Sequence, residues 1–119
     1  MKIGTVLILL VVLIPVAVSA ADITGTYDCQ GTNPGGKGNY KGTVVIEKPG
    51  DAYKVTWSIA GQTFNGVGIL EGDQFSVGYT DAAKSWFGVI VYKVKGNTLT
   101  GPWAVYGSGN MGSETLTKK

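Results

Sequence analysis

From Ile23 onward, apolar and polar residues alternate with a period of two, and turn residues interrupt the alternation at regular intervals. That period belongs to strands, whose successive side chains point to opposite faces. Eight segments carry it, beginning near Ile23, Tyr40, Tyr53, Thr63, Gln74, Trp86, Thr98 and Met111. Between them lie NPGGKGN, KPGD, AG, EGD, TDAAKS, KGN and GSGN, each with glycine or a helix-averse polar cluster, as hairpin turns require. A meander of eight short strands predicts an all-β fold, a small eight-stranded antiparallel up-and-down barrel. A two-sheet sandwich is the competing architecture.

A local signature recurs within this pattern: an apolar residue, one spacer, then glycine. It appears as Ile23-Thr24-Gly25, Tyr40-Lys41-Gly42, Phe64-Asn65-Gly66 and Leu99-Thr100-Gly101. Positions two apart share a face, so these glycines belong to the apolar side, where they mark bends or close approaches. Closing a small barrel needs such bends, and a facing ring fills the space of the missing side chain. The signature therefore favours the barrel over the sandwich.

The stretch GTNPGGKG, Gly31–Gly38, nearly spells a phosphate-binding loop. Such a loop follows a strand and opens a helix, and a hydroxyl after its lysine holds magnesium. Here Gly38 takes the hydroxyl's place, and an alternating strand, YKGTVVIE, follows. The stretch reads as the loop between the first two strands.

Residues 1–20 fall outside this pattern. Lys2 is followed by an unbroken apolar run from Val6 to Ile14, Pro15 breaks the run, and Val18-Ser19-Ala20 supplies small residues at cleavage spacing. These features predict a secretory signal peptide helix, with an exported single domain over residues 21–119. A retained membrane anchor is the rival, but the apolar stretch falls short of the roughly 20 residues that a span needs. Export places the domain in the periplasm or outside the cell, free of the membrane after cleavage.

Charge and composition then narrow the function classes. The formal net charge is +2, one unit less without Lys2, and the charges are dispersed, which argues against a nucleic-acid partner. The chain has no histidine and no arginine. The commonest general base, the commonest metal ligand and the bidentate clamp for carboxylate or phosphate are thus missing. Cys29 is the single cysteine and cannot form an internal disulfide. The expectation is a binding protein and not an enzyme, with no catalytic residues, no metal and no cofactor.

The inferred inward face carries Tyr27, Tyr40, Tyr53, Trp57, Phe64, Phe75, Tyr79 and Trp103. An eight-stranded barrel either fills itself with side chains or holds one small ligand. So many rings in so short a chain favour a packed core; the functional reading is an aromatic pocket. Glu114 shares strand parity with Leu116, so it points inward if Leu116 does, where tyrosine hydroxyls would satisfy it. Otherwise the last strand frays and Glu114 faces water. Cys29, on the face of Gly25 and Tyr27, reads as a small apolar residue.

The segment SWFGVIVYKVK is apolar on both faces. With Trp86, Ile90 and Tyr92 inward, Phe87, Val89 and Val91 form an outer stripe of the kind that marks interfaces. Elsewhere the outward positions include Lys41, Glu47, Lys54, Lys93 and Lys95, so the barrel's outer face wants water rather than a bilayer.

Two resemblances follow from particular runs. GTYDCQGTNP, YKGTVVI, WSIAG, GVGILEG and GSETL resemble a group of small exported bacterial proteins that carry the name fibronectin-binding protein, over nearly all of residues 21–119. That resemblance implies adhesion to an extracellular matrix partner, fibronectin itself. Gly25-Thr26-Tyr27 is similar to the G-x-W that opens lipocalin barrels, with tyrosine for tryptophan. It implies a calycin-like barrel of the lipocalin and avidin kind. Lipocalins pack a late arginine over that tryptophan, and this chain has none, so the barrel shape carries over without any ligand residues.

Three functions remain open. In the first, an adhesion module presents the loops Asn33–Asn39 and Thr80–Ser85, with Asn33, Lys37, Lys84, Trp86 and Phe87 as contacts, and pairs with fibronectin by strand addition at an open barrel seam. In the second, the interior carries a small hydrophobic ligand against Trp57, Tyr79, Trp103 and Glu114. A dry cavity of a few hundred cubic ångströms favours that carrier and a filled interior ends it. In the third, Gly35–Gly38 inserts into a secreted hydrolase and inhibits it.

Overall fold

The structure, a computed structural model, describes Gly4, Val11 and residues 22–119. The rest of the expected signal peptide lies outside the described residues. Eight strands follow one another: β1 Gly25–Thr32, β2 Asn39–Glu47, β3 Tyr53–Ile59, β4 Gln62–Glu71, β5 Gln74–Asp81, β6 Phe87–Lys95, β7 Thr98–Val105 and β8 Gly112–Lys118. Each pairs antiparallel with its neighbours in sequence, and β1 pairs with β8, from Tyr27 opposite Lys118 to Thr32 opposite Ser113. The result is a closed up-and-down barrel. Closure leaves no seam, so strand addition at an open barrel edge, expected for the adhesion reading, has no place to occur.

Turn chemistry explains the strand spacing. Ala60 and Gly61 join β3 to β4 in a two-residue turn with both φ positive, 51° and 77°, the combination whose twist matches that of a hairpin. Gly72 and Gly96 open the tight turns before β5 and β7 with φ of 59°. The GTNPGGKG stretch is the β1–β2 loop, where Pro34–Gly36 make one 3-10 turn. Five expected strand starts shift slightly. Trp86 and Met111 precede β6 and β8, Ile23 precedes β1, and Tyr40 and Thr63 fall just inside β2 and β4.

Ile23 does different work: it plugs one end of the barrel. It is buried, and its carbonyl accepts a 2.7 Å hydrogen bond from the Tyr27 hydroxyl. Above that plug the lumen is filled by Tyr53, Val55, Phe75, Tyr92, Leu99 and Leu116, all buried. Tyr53 meets Phe75 edge-on at 5.3 Å, and Phe75 stacks on Tyr92 at 6.1 Å. Burial on this scale is the main favourable term in folding, at about 1.5–3 kcal/mol per large side chain. Cys29 is buried and unpaired, as a small apolar residue would be.

Outside, Val67 (62% exposed), Ile69, Phe87 (57% exposed), Val89 and Val91 stand proud of the sheet. Phe87 stacks on the exposed Tyr106 with ring centroids 4.9 Å apart. The stripe read on β6 is therefore outward, and β4 carries a second apolar pair, Val67 and Ile69, across Gly78 and Ser76 of β5.

Candidate functional site

The other half of the lumen is not filled. A cavity of about 250 Å³ opens at the end formed by the β1–β2, β3–β4, β5–β6 and β7–β8 loops. Tyr40, Trp57, Phe64, Tyr79, Trp86 and Trp103 line it, and Glu114 lies at its wall. The fully packed core favoured by the number of rings is thus corrected: one half is packed and the other is hollow.

The register explains the hollow. Tyr40 stands opposite Gly31, Tyr79 opposite Gly88, and Trp103 opposite Gly112. Each ring reclines over its glycine: a Cβ on Gly88 would come within 2.6 Å of Tyr79 Cζ, and one on Gly112 within 2.6 Å of Trp103 Cζ2. A Cβ on Gly31 would strike the Tyr40 ring itself. Three rings therefore lie along the wall and leave the lumen open. Others stand across them. Tyr79 and Trp86 meet at 88° with centroids 5.8 Å apart, Trp57 lies 5.5 Å from Tyr79, and Phe64 lies 5.8 Å from Trp86.

Glu114 is 4% exposed. Its carboxylate accepts a hydrogen bond from the Tyr40 hydroxyl at 2.9 Å, from the Trp57 indole at 3.1 Å, and from the buried Tyr92 hydroxyl. Three donors on two oxygens are what an acceptor-only carboxylate takes. Both ion pairs among the described residues lie elsewhere and are exposed, Lys93 with Asp73 and Lys119 with Asp28. No lysine is among the described residues that line the cavity. Burial first, and the Glu114 charge after it, push the hydroxyls of Tyr40, Tyr79 and Tyr92 and the thiol of Cys29 well above their ordinary ranges.

The mouth is held by a second carboxylate. Asp81 Oδ1 accepts the Ser85 amide at 2.7 Å and the Trp86 amide at 3.3 Å, and the Ser85 hydroxyl donates to Oδ2. Thr80 Oγ1 donates to the Trp86 carbonyl at 2.8 Å. The β5–β6 loop is thus folded back on its strand end, which aims Trp86 over the cavity. The bonds from the Ser85 hydroxyl, the Ser85 amide and the Trp86 amide hold the Asp81 carboxyl below its ordinary range.

All four residues expected to line the interior, Trp57, Tyr79, Trp103 and Glu114, border this one cavity. The surface group divides. Lys37 and Lys84 are exposed in loops at the open end and Phe87 is exposed on β6. Trp86 and Asn33, expected as surface contacts, line the cavity instead. Trp86 turns inward because its backbone is tied to Thr80 and Asp81 while its ring packs on Phe64 and Tyr79. The sequence reading missed Asp81, whose only trace was an acid two residues past the inward Tyr79 and four before Ser85. Of the other acids weighed for chemistry, Asp28 and Glu47 are exposed.

No protein-family model and no curated protein matches the chain. Among solved structures, a de novo designed fluorescence-activating β-barrel is similar with a TM-score of 0.62 at 12% identity, covering 81% of this chain and 93% of the design. At that identity the likeness is one of fold. Secretory abundant heat soluble protein 4 from Ramazzottius varieornatus is similar more loosely, with a TM-score of 0.48 at 15% identity, over 82% of this chain and 94% of its own.

Proposed function

We propose that this barrel is a binding protein that holds one small, mainly apolar organic molecule in its open half, without transforming it. The observation that carries the reading is the cavity of about 250 Å³, walled by six rings, in a barrel whose other half is packed. Sites of this kind are concave and apolar with few polar groups. The size suits a ligand of roughly ten non-hydrogen atoms, since the space equals about eight water volumes.

Fluorescence titration with the small neutral dye 1-naphthylamine, whose size matches that volume, tests this reading. A single saturable site is expected, together with its loss in Ile90→Phe, which adds ring volume at a buried cavity residue. Absence of binding at about 100 μM, or undiminished binding in a folded Ile90→Phe variant, would sink the carrier reading.

A second reading is favoured by the outer apolar face of Val67, Ile69, Phe87, Val89 and Tyr106, a surface of the kind that meets protein partners. In it the barrel's wall, not its seam, meets an extracellular protein such as fibronectin. Immobilised fibronectin beside an unrelated matrix protein decides the matter. Saturable binding that Val89→Lys abolishes supports this reading, and equal binding to both surfaces rejects it.

A further inference from the structure

The cavity's polarity is one-sided. Its walls are mainly six aromatic rings, its one charged lining group among the described residues is the Glu114 carboxylate, and its other polar groups are neutral: the amides of Asn33 and Gln62, the hydroxyls of Tyr40 and Tyr79 and the indole N–H groups. From these features we infer that the cavity selects organic monocations: an ammonium head enclosed by the rings beside Glu114, carried on a small apolar body. The inference rests on the carrier reading and names its ligand class.

Two independent features point the same way. The first is the arrangement of ring faces. Tyr79 and Trp86 stand nearly perpendicular, and Tyr40 meets Trp103 at 66° across 6.2 Å. With Trp57 and Phe64 completing the wall, the rings make corners rather than a flat stack. A purely apolar guest has no need of such corners. A cation does, because each ring face presents the negative part of its quadrupole, and rings set around a point add their attraction there. Methylated ammonium groups are held in boxes of this type, since their diffuse charge is weakly hydrated and loses little on entering.

The second feature is the charge of Glu114. Three neutral donors stabilise it locally but leave its net negative charge in place. Lys37 and Lys84 sit in loops at the same end and Lys41 borders a second hollow that Glu114 shares, yet all three are exposed and none lines the cavity. A buried carboxylate without a cationic partner keeps a field that water screens poorly. An entering cation would be attracted by it, and an anion would be repelled. The three donors also fix the carboxylate against the wall, so a ligand need not order it on binding.

Benzyltrimethylammonium, its uncharged carbon isostere neopentylbenzene and the anion phenylacetate separate charge from shape. Each would be titrated against the purified full-length protein by displacement of 1-naphthylamine. The expected order is the cation first, on the order of tenfold tighter than the isostere, with the anion weakest. In Glu114→Gln the preference for the cation over the isostere should fall severalfold, whatever the change in the isostere's own affinity. Should Glu114→Gln fail to fold, Trp86→Leu at the mouth removes a cage wall instead, and the cation must again lose more than the isostere. An isostere that binds as tightly as the cation overturns the inference and leaves the carrier reading standing, as does tightest binding by the anion. If the dye and all three compounds fail to bind, both readings fall together.

Discussion

The indole of Trp103 lies across the α-carbon of Gly112, its register partner on β8, and its Nε1 donates to the Ser113 carbonyl at 3.3 Å. The ring is thereby pinned to the barrel wall, with no side chain opposite to lift it into the lumen. Tyr40 over Gly31 and Tyr79 over Gly88 repeat the device. The hollow half of the barrel is a product of these three pairs, and each is open to mutation.

Gly31 gives the cleanest test, because the atoms nearest an added Cβ there all belong to Tyr40, whereas at Gly88 and Gly112 they include backbone carbonyls. Gly31→Ala should lift Tyr40 away from Glu114 and into the cavity. The barrel should still form, losing about 1–3 kcal/mol as a buried carboxylate gives up one donor. Dye affinity should fall at least tenfold. Denaturant melts and a titration measure the two effects, and a variant with wild-type affinity would show that the ring does not set the cavity.

The Tyr92 hydroxyl reaches Glu114 from the packed half of the lumen. Tyr92→Phe should destabilise the fold by about 1–3 kcal/mol, for the same reason of an underpaired buried charge. In a Glu114→Leu background the same substitution should cost far less, since the carboxylate that made the hydroxyl necessary is gone. The double-mutant cycle isolates that coupling, and additive costs would mean that the bond contributes nothing of its own.

Alkaline pH should unfold the protein early. The Cys29 thiol and the hydroxyls of Tyr40, Tyr79 and Tyr92 are raised above reference values of 9.0 and 10.0, so the folded state keeps these protons after the unfolded chain has released them. Bound protons in excess in the folded state make stability fall as pH rises. The contribution is fully present below about pH 9 and lost progressively above it. Melting temperatures from pH 7 to 11 should show that decline, and it should be shallower in Tyr92→Phe. A flat profile would contradict the burial of these groups.

Asp81 should govern the mouth without governing the fold. Its carboxyl is held below the ordinary range, so its bonds to the β5–β6 loop are present above about pH 4 and lost as pH falls through the lowered value. Asp81→Ala should free Trp86, shifting tryptophan emission to the red and weakening dye binding severalfold. The melting temperature should change little, because Asp81, half-buried, stands at the rim, outside the packed core. Unchanged emission would show that packing on Phe64 and Tyr79 alone holds the ring.

What the sequence by itself determined is the set of properties that neighbouring residues decide. Alternation with a period of two gave the strands and the face of most side chains, so Tyr27, Trp57 and Phe75 were legible as inward and Phe87 and Val89 as outward, whereas Glu114 was inward only on condition that the last strand did not fray. Turn residues such as Ala60-Gly61 gave the number of strands and their order. Only the tertiary structure decided whether the inward rings meet or leave space, because that depends on the barrel's radius and on which glycine stands opposite each ring. The partners of Glu114 lie 22, 57 and 74 residues away and were beyond any local pattern. Parity likewise cannot tell a seam from a closed ring: pairing of β1 with β8 joins the two ends of the chain. Trp86 shares the inward parity of Ile90 and Tyr92, but it sits just before the strand, so bonds to Asp81 and Thr80 and not a sheet ladder hold its backbone there.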